Sequence, residues 1–185
     1  NSCVHIINIF DKQDEPLLPN LESWYQTVSQ QINLNKCSIL MNDICGSLLY
    51  EEFASSEMKQ LMKTSIDCKT KIDKICKKLS SCISKCDVKL EKHLKTGYFI
   101  WTTKTRASLI KEQFGTQFTF KNDKQRCLIS NDALNPLFHK LLKCEDKMKP
   151  LAKDEYLAKI SSIYNDFADI LKSSASKVAY YDTIT

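Results

Sequence analysis

The sequence predicts a mainly α protein: a single-domain, disulfide-stapled helical bundle built on one long central helix, with a small β-hairpin around residues 98–128. Three observations carry that expectation. The chain has nine cysteines in 185 residues, only three glycines, and a long stretch after Ala54 in which apolar residues recur at helical spacing. Scarce glycine with abundant Lys, Leu, Ile and Ser does not suit a turn-rich sandwich or barrel. Small secreted domains use disulfides to supplement modest cores in oxidising surroundings, so the cysteine count points to an extracellular chain.

Taken in order, residues 1–19 read as an irregular lead-in, in which Val4–Phe10 suits a strand or a buried segment before Pro16 and Pro19 interrupt. Asn20 can cap a first helix that places Leu21, Trp24, Tyr25, Val28 and Ile32 on one face. A second helix is expected from about Lys36 to Phe53, with Ile39, Leu40, Ile44, Leu48 and Leu49 as its apolar face. The third and longest begins at Ser55 or Ser56, either hydroxyl suiting an N-cap, and runs to about Leu94, where Gly97 can end it. Its seam is Met58, Leu61, Ser65, Cys68, Ile72, Ile75, Leu79, Cys82 and Cys86.

Beyond Gly97 the pattern changes. Tyr98–Trp101 and Gln117–Phe120 suit strands, Asn122-Asp123 a turn, and Arg106–Phe114 a short helix. Asn135-Pro136 reads as the cap and first residue of a helix to about Met148, which Pro150 separates from a last helix. That last helix carries Tyr156, Leu157, Ile160, Ile163, Tyr164, Phe167, Ile170, Leu171, Ala175 and Val178 at helical spacing, with residues 182–185 as a frayed tail. No repeat, low-complexity tract or linker divides the chain, so residues 1–185 are expected to form one domain.

A short turn around Ala54 would set the second and third helices antiparallel. Cys45 would then lie opposite Cys68 and Cys37 opposite Cys76, near enough for two disulfides. Cys82 and Cys86 would seek partners among Cys3, Cys127 and Cys144, leaving one cysteine for a free thiol or a disulfide-linked dimer. A metal reading, in which a Cys-x-x-x-Cys pair on a helix takes a third ligand from His93 or His139, is disfavoured because no Cys-x-x-Cys knuckle is present. No cofactor is expected.

Catalysis has no signature here. The three histidines stand outside any recognisable motif, no phosphate-binding glycine loop exists, and Glu51-Glu52 and Asp154-Glu155 read as helix-surface charges. Asn1-Ser2-Cys3 suits the start of a mature chain after signal-peptide removal, and no apolar run approaches the roughly 18 residues of a membrane span.

Charge gives the only directional hint about partners. Residues 1–56 hold two Lys and seven acids, residues 57–95 eleven Lys and five acids, and residues 96–185 fourteen basic and ten acidic residues. The basic surplus therefore sits on the expected long helix, where Lys63, Lys71, Lys74, Lys78, Lys85 and Lys92 form either a solvated face or a stripe for a sulfated glycan. Nucleic acid is not expected, since Arg106 and Arg126 are the only arginines. Tyr98, Phe99, Trp101, Phe118 and Phe120, with Tyr164 and Phe167, are candidates for an apolar pocket or a hot spot.

The resulting expectation is a secreted, non-enzymatic interaction protein that engages an extracellular protein through a rigid helical surface, as signalling, inhibitory or host-interaction proteins do. The alternatives are a carrier of a small apolar ligand in an inter-helical pocket and a disulfide-linked structural or surface dimer.

Overall fold

The periodic stretch after Ala54 does form a helix, and Met58, Ser65, Cys68, Ile72 and Leu79 of the expected seam are buried, while Leu61 and Ile75 are half-buried and Cys76 joins the buried side. The structure is a computed structural model that describes residues 17–37, 46–81 and 88–184. Its elements are α1 (Leu17–Gln31), α2 (Leu34–Cys37), a 3-10 turn (Glu51–Phe53), α3 (Ser56–Ser80), β1 (Lys89–His93), β2 (Gly97–Thr103), α4 (Lys104–Phe114), β3 (Thr119–Asp123), β4 (Arg126–Ser130) and α5 (Leu134–Ile184). They fall into two units, one spanning Ser56–Pro150 and the other combining Asn1–Ser55 with Leu151–Thr185.

In the first unit, α3 buries Met58, Ser65, Cys68, Ile72, Cys76 and Leu79. Lys63, Lys71, Lys74 and Lys78 lie on its exposed side. Glu57 in the first turn and Lys77 and Lys78 in the last complement the helix dipole. The strands form one antiparallel sheet in the order β1-β2-β4-β3. Across it, Leu90 pairs with Ile100, Ile100 with Ile129 and Ile129 with Phe120. Ile100, Ile129 and partly buried Phe120 join Cys68, Ile72 and Leu79 of α3, Ile110 of α4, and Leu134, Phe138 and Leu141 of α5 in a single core. All three helices therefore cover the same face of the sheet. Burying each such Ile or Leu contributes about 1.5–3 kcal/mol.

The second unit packs Ile32, Leu49 and Ile163 with Trp24, Val28, Cys37, Tyr156 and Phe167. An antiparallel bridge joins Ile32 to Leu49, flanked by Asn33 N–H donating to the Leu48 carbonyl at 2.9 Å and Tyr50 N–H to that of Gln31 at 3.1 Å.

Several expectations are corrected. The mainly α, disulfide-stapled bundle with a small hairpin is replaced, in the first unit, by helices on one face of a four-stranded antiparallel sheet. Among the described residues Cys37, Cys68, Cys76, Cys127 and Cys144 are free thiols, and no disulfide is present. The reason is that the seam cysteines pack as small apolar side chains beside Ile72 and Leu79, a role that free cysteine fills well. Cys3, Cys45, Cys82 and Cys86 lie outside the described residues. The second helix expected over Lys36–Phe53, behind the proposed Cys45–Cys68 and Cys37–Cys76 bonds, is not continuous, because buried Leu48 and Leu49 lie outside any helix before the 3-10 turn, Leu49 being bridged to Ile32.

The long helix ends at Ser80 instead of near Leu94, and Lys89–His93 is a strand. Gly97 thus closes a hairpin instead of a helix. Its φ of 78° favours glycine, and a Cβ there would sit 3.2 Å from Leu142 Cδ1. The cap expected at Asn135 is instead Asn131, whose Oδ1 accepts from the Leu134 N–H at 2.8 Å. Pro150 lies inside α5 rather than between two helices. Buried Met148 and Ala152 hold apolar positions on both sides of it.

Candidate functional site

Side chains alternate across a strand, so residues next to the core positions point to the other side of the sheet. On that side, the register aligns Lys89 of β1, Trp101 of β2, Leu128 of β4 and Lys121 of β3 in one row across all four strands. Glu91 pairs with Phe99 beside it, and Thr103 and Asp123 both oppose Arg126. Lys89, Lys121 and Arg126 are exposed, while Phe99, Trp101 and Leu128 are half-buried. No described helix of this unit joins them, since α3, α4 and α5 meet the sheet through its opposite face.

The centre of the row is held in place. The Arg126 guanidinium lies 4.3 Å from the centre of the Trp101 ring. Arg126 Nη1 donates to both oxygens of Glu91, at 3.2 and 2.9 Å. A cation on an indole face contributes about 0.5–1 kcal/mol at exposed sites, and an exposed ion pair about as much or less. Together they fix a planar cation over a planar aromatic ring. Trp101 Nε1 is shielded and has no acceptor among the described residues. The surface offers an aromatic-aliphatic centre, an oriented arginine and two outlying lysines.

Behind the sheet, a charged cluster locks its first hairpin to α5. Glu145 is fully buried. It accepts from Lys92 Nζ at 2.6 Å and from the Tyr98 hydroxyl, with Lys69 Nζ at 3.6 Å. Burial pushes the Glu145 carboxyl pKa up, but the bonds from Lys92 and Tyr98 and the charges of Lys92 and Lys69 outweigh it and hold it below the usual range. Glu145 stays ionised at neutral pH and functions as a clamp. Next to it, a groove of about 380 Å³ is lined by the hairpin turn (Leu94, Lys95, Thr96, Gly97) and Tyr98 on one side and by Asn135, Phe138, His139 and Leu142 of α5 on the other.

The aromatic residues singled out from the sequence separate into three places. Phe99 and Trp101 lie on the open face, whereas Tyr98, Phe118 and Phe120 pack toward the core. Tyr164 and Phe167 belong to the second unit, Phe167 partly buried in its core and Tyr164 exposed. Of the six lysines, four stand on α3, and Lys78 Nζ lies 5.3 Å from the Phe114 ring centre. Lys92 is on β1 and clamped to Glu145, and Lys85 lies outside the described residues.

Four of the described thiols are held in the protonated form. Burial, with the nearby Asp73 charge, raises the Cys76 pKa to about 11. Burial likewise raises those of Cys37, Cys127 and Cys144. These thiols are protonated and unreactive at neutral pH. No cluster among the described residues has three groups able to hold a metal ion. Nor is any described helix long and apolar enough to cross a membrane.

Sequence reasoning did not find Lys89, Leu128, Lys121 and Glu91 as parts of one surface, because only strand register brings them together. Glu145 did leave a signal. It occupies a core position in the stripe Leu141, Cys144, Glu145, Met148, where an acid has to find partners. Asp154-Glu155 is also not a plain surface pair, since Glu155 Oε1 accepts from the Ser55 N–H at 3.3 Å and Oε2 is shielded without a partner among the described residues. Compared with known proteins, the chain matches no protein-family model and no curated protein sequence.

Proposed function

We propose that this protein is a non-enzymatic binding module that engages a protein partner through the open face of its sheet. The observation that supports this reading is the row Lys89, Trp101, Leu128 and Lys121 with Arg126 set on the indole. Trp and Arg dominate binding hot spots because they combine a large contact area with directed hydrogen bonds. The helical surface anticipated from the sequence is a weaker choice within this unit, since α3, α4 and the part of α5 before Pro150 direct their apolar stripes into the core. Ile66 of α3 and Leu109 of α4 are isolated exposed apolar residues, ordinary on any protein surface, while α5 exposes Leu157, Ile160 and Tyr164 in the second unit. An extracellular partner was inferred from the cysteine count. With the described thiols free, the surface chemistry alone supports the proposal.

Site-specific photo-crosslinking tests it. With the crosslinker in place of Lys121 or Lys89, a discrete protein adduct is expected, and in place of Lys74 on α3 none. Adducts formed only from position 74 would return the binding surface to the helix.

A second reading, a carrier of a small apolar ligand, is favoured by the groove beside Phe138 and Leu142, whose volume is at the low end for small-molecule sites. His139 and Lys95 at its rim would favour a ligand with an anionic group. Saturable binding of a fluorescent fatty acid that Gly97→Val abolishes would support it.

A further inference from the structure

We infer that the segment of the partner seated on the open sheet face is an extended peptide carrying acidic residues at positions i and i+4 with an apolar residue at i+2, laid across the four strands. This rests on the open face being the binding surface.

The inference comes from charge and spacing. Five charged side chains lie in or beside the row: Lys89, Lys121, Arg126, Glu91 and Asp123. Glu91 is held by Arg126, and Asp123 opposes Arg126 in register. Lys89 and Lys121 have no ion-pair partner among the described residues and stand at opposite ends of the row. Neighbouring strands are about 4.8 Å apart, so three spacings place these two backbones about 14 Å apart. An extended chain advances about 3.4 Å per residue, so side chains i and i+4, which share one face, are about 13.6 Å apart. The lengths match. Residue i+2 then falls midway, over the cross-strand pair Trp101 and Leu128, where an apolar side chain removes surface from water. Residues i+1 and i+3 point away and are unconstrained. A continuous polyanion would be read differently, because Glu91 lies beside the row and disfavours negative charge between its two ends.

A random peptide display library selected on the immobilised full chain tests this. Enriched peptides should share the i, i+4 acidic spacing with an apolar i+2. The double variant Lys89→Gln/Lys121→Gln should bind them about tenfold more weakly, and Trp101→Ala should lose them. As a check independent of folding, Lys121→Glu should recover a peptide whose i+4 acid has been replaced by lysine. Enriched peptides that need Trp101 but ignore both lysines, or show no acid spacing, would overturn this inference and leave the open face as the binding surface. Peptides indifferent to Trp101→Ala, or no enrichment at all, would overturn both.

Discussion

The two faces of the same sheet are built from alternating residues of the same strands and have opposite characters. On the helix side, Leu90, Ile100, Ile129 and Phe120 form a row whose two central residues are nearly inaccessible. One residue along each strand, the parallel row is Lys89, Trp101, Leu128 and Lys121, cationic at both ends and apolar in the middle. An antiparallel sheet with one packed and one solvated face usually places polar residues outside. Here the outer face keeps half-buried Phe99, Trp101 and Leu128 at its centre, and that departure is what the proposed binding surface rests on.

The largest effect is expected on the packed face. Ile100→Ala should lower unfolding stability by about 2–5 kcal/mol, the range for removing a buried branched side chain. Denaturant melts would measure it, and a loss under 1 kcal/mol would mean that the helices do not seal this face.

Next in size is the clamp behind the sheet. Lys92→Met removes the closest cation from buried Glu145 and should cost about 1.5–3 kcal/mol at neutral pH, the range for a hydrogen bond to a charged group. Because the folded carboxyl pKa is depressed, the stabilisation is present above the unfolded value of about 4.3 and is lost as pH falls through the folded value. The difference between wild type and Glu145→Gln should therefore shrink below about pH 4. A difference that stays constant down to pH 2 would mean that Glu145 is not ionised in the fold.

The smallest effect belongs to the open face. Glu91→Gln breaks an exposed pair and should cost about 0.2–1 kcal/mol, less still in high salt. A larger or salt-insensitive loss would show that Arg126 and Glu91 are more enclosed than their exposure indicates.

How much of this was readable from sequence depends on the range of the forces involved. The buried stripe of α3 was legible from Met58 to Leu79, because helical periodicity is local. Lys89–His93 was not, since an edge strand with a single apolar residue and three helix-favouring charges carries no local strand signal. Its pairing comes from Gly97 closing the hairpin and from Lys92 reaching Glu145. The passage of α5 through Pro150 was likewise hidden, because proline is a local stop signal that tertiary packing can override. Trp101 and Phe99 were named from the sequence. Their neighbours Lys89, Lys121 and Leu128 became visible only when β1 and β4 were paired to β2, and β3 to β4.

The most direct test compares two adjacent residues of β4, Leu128 and Ile129, each replaced by threonine, which keeps β propensity and adds one hydroxyl. With thermal and denaturant unfolding followed by circular dichroism, Ile129→Thr should lose about 2–4 kcal/mol, because it places a hydroxyl in the core. Leu128→Thr should lose about 1 kcal/mol or less and remain folded. Equal, large losses at both positions would contradict the open face, since Leu128 would then have to be as deeply packed as Ile129.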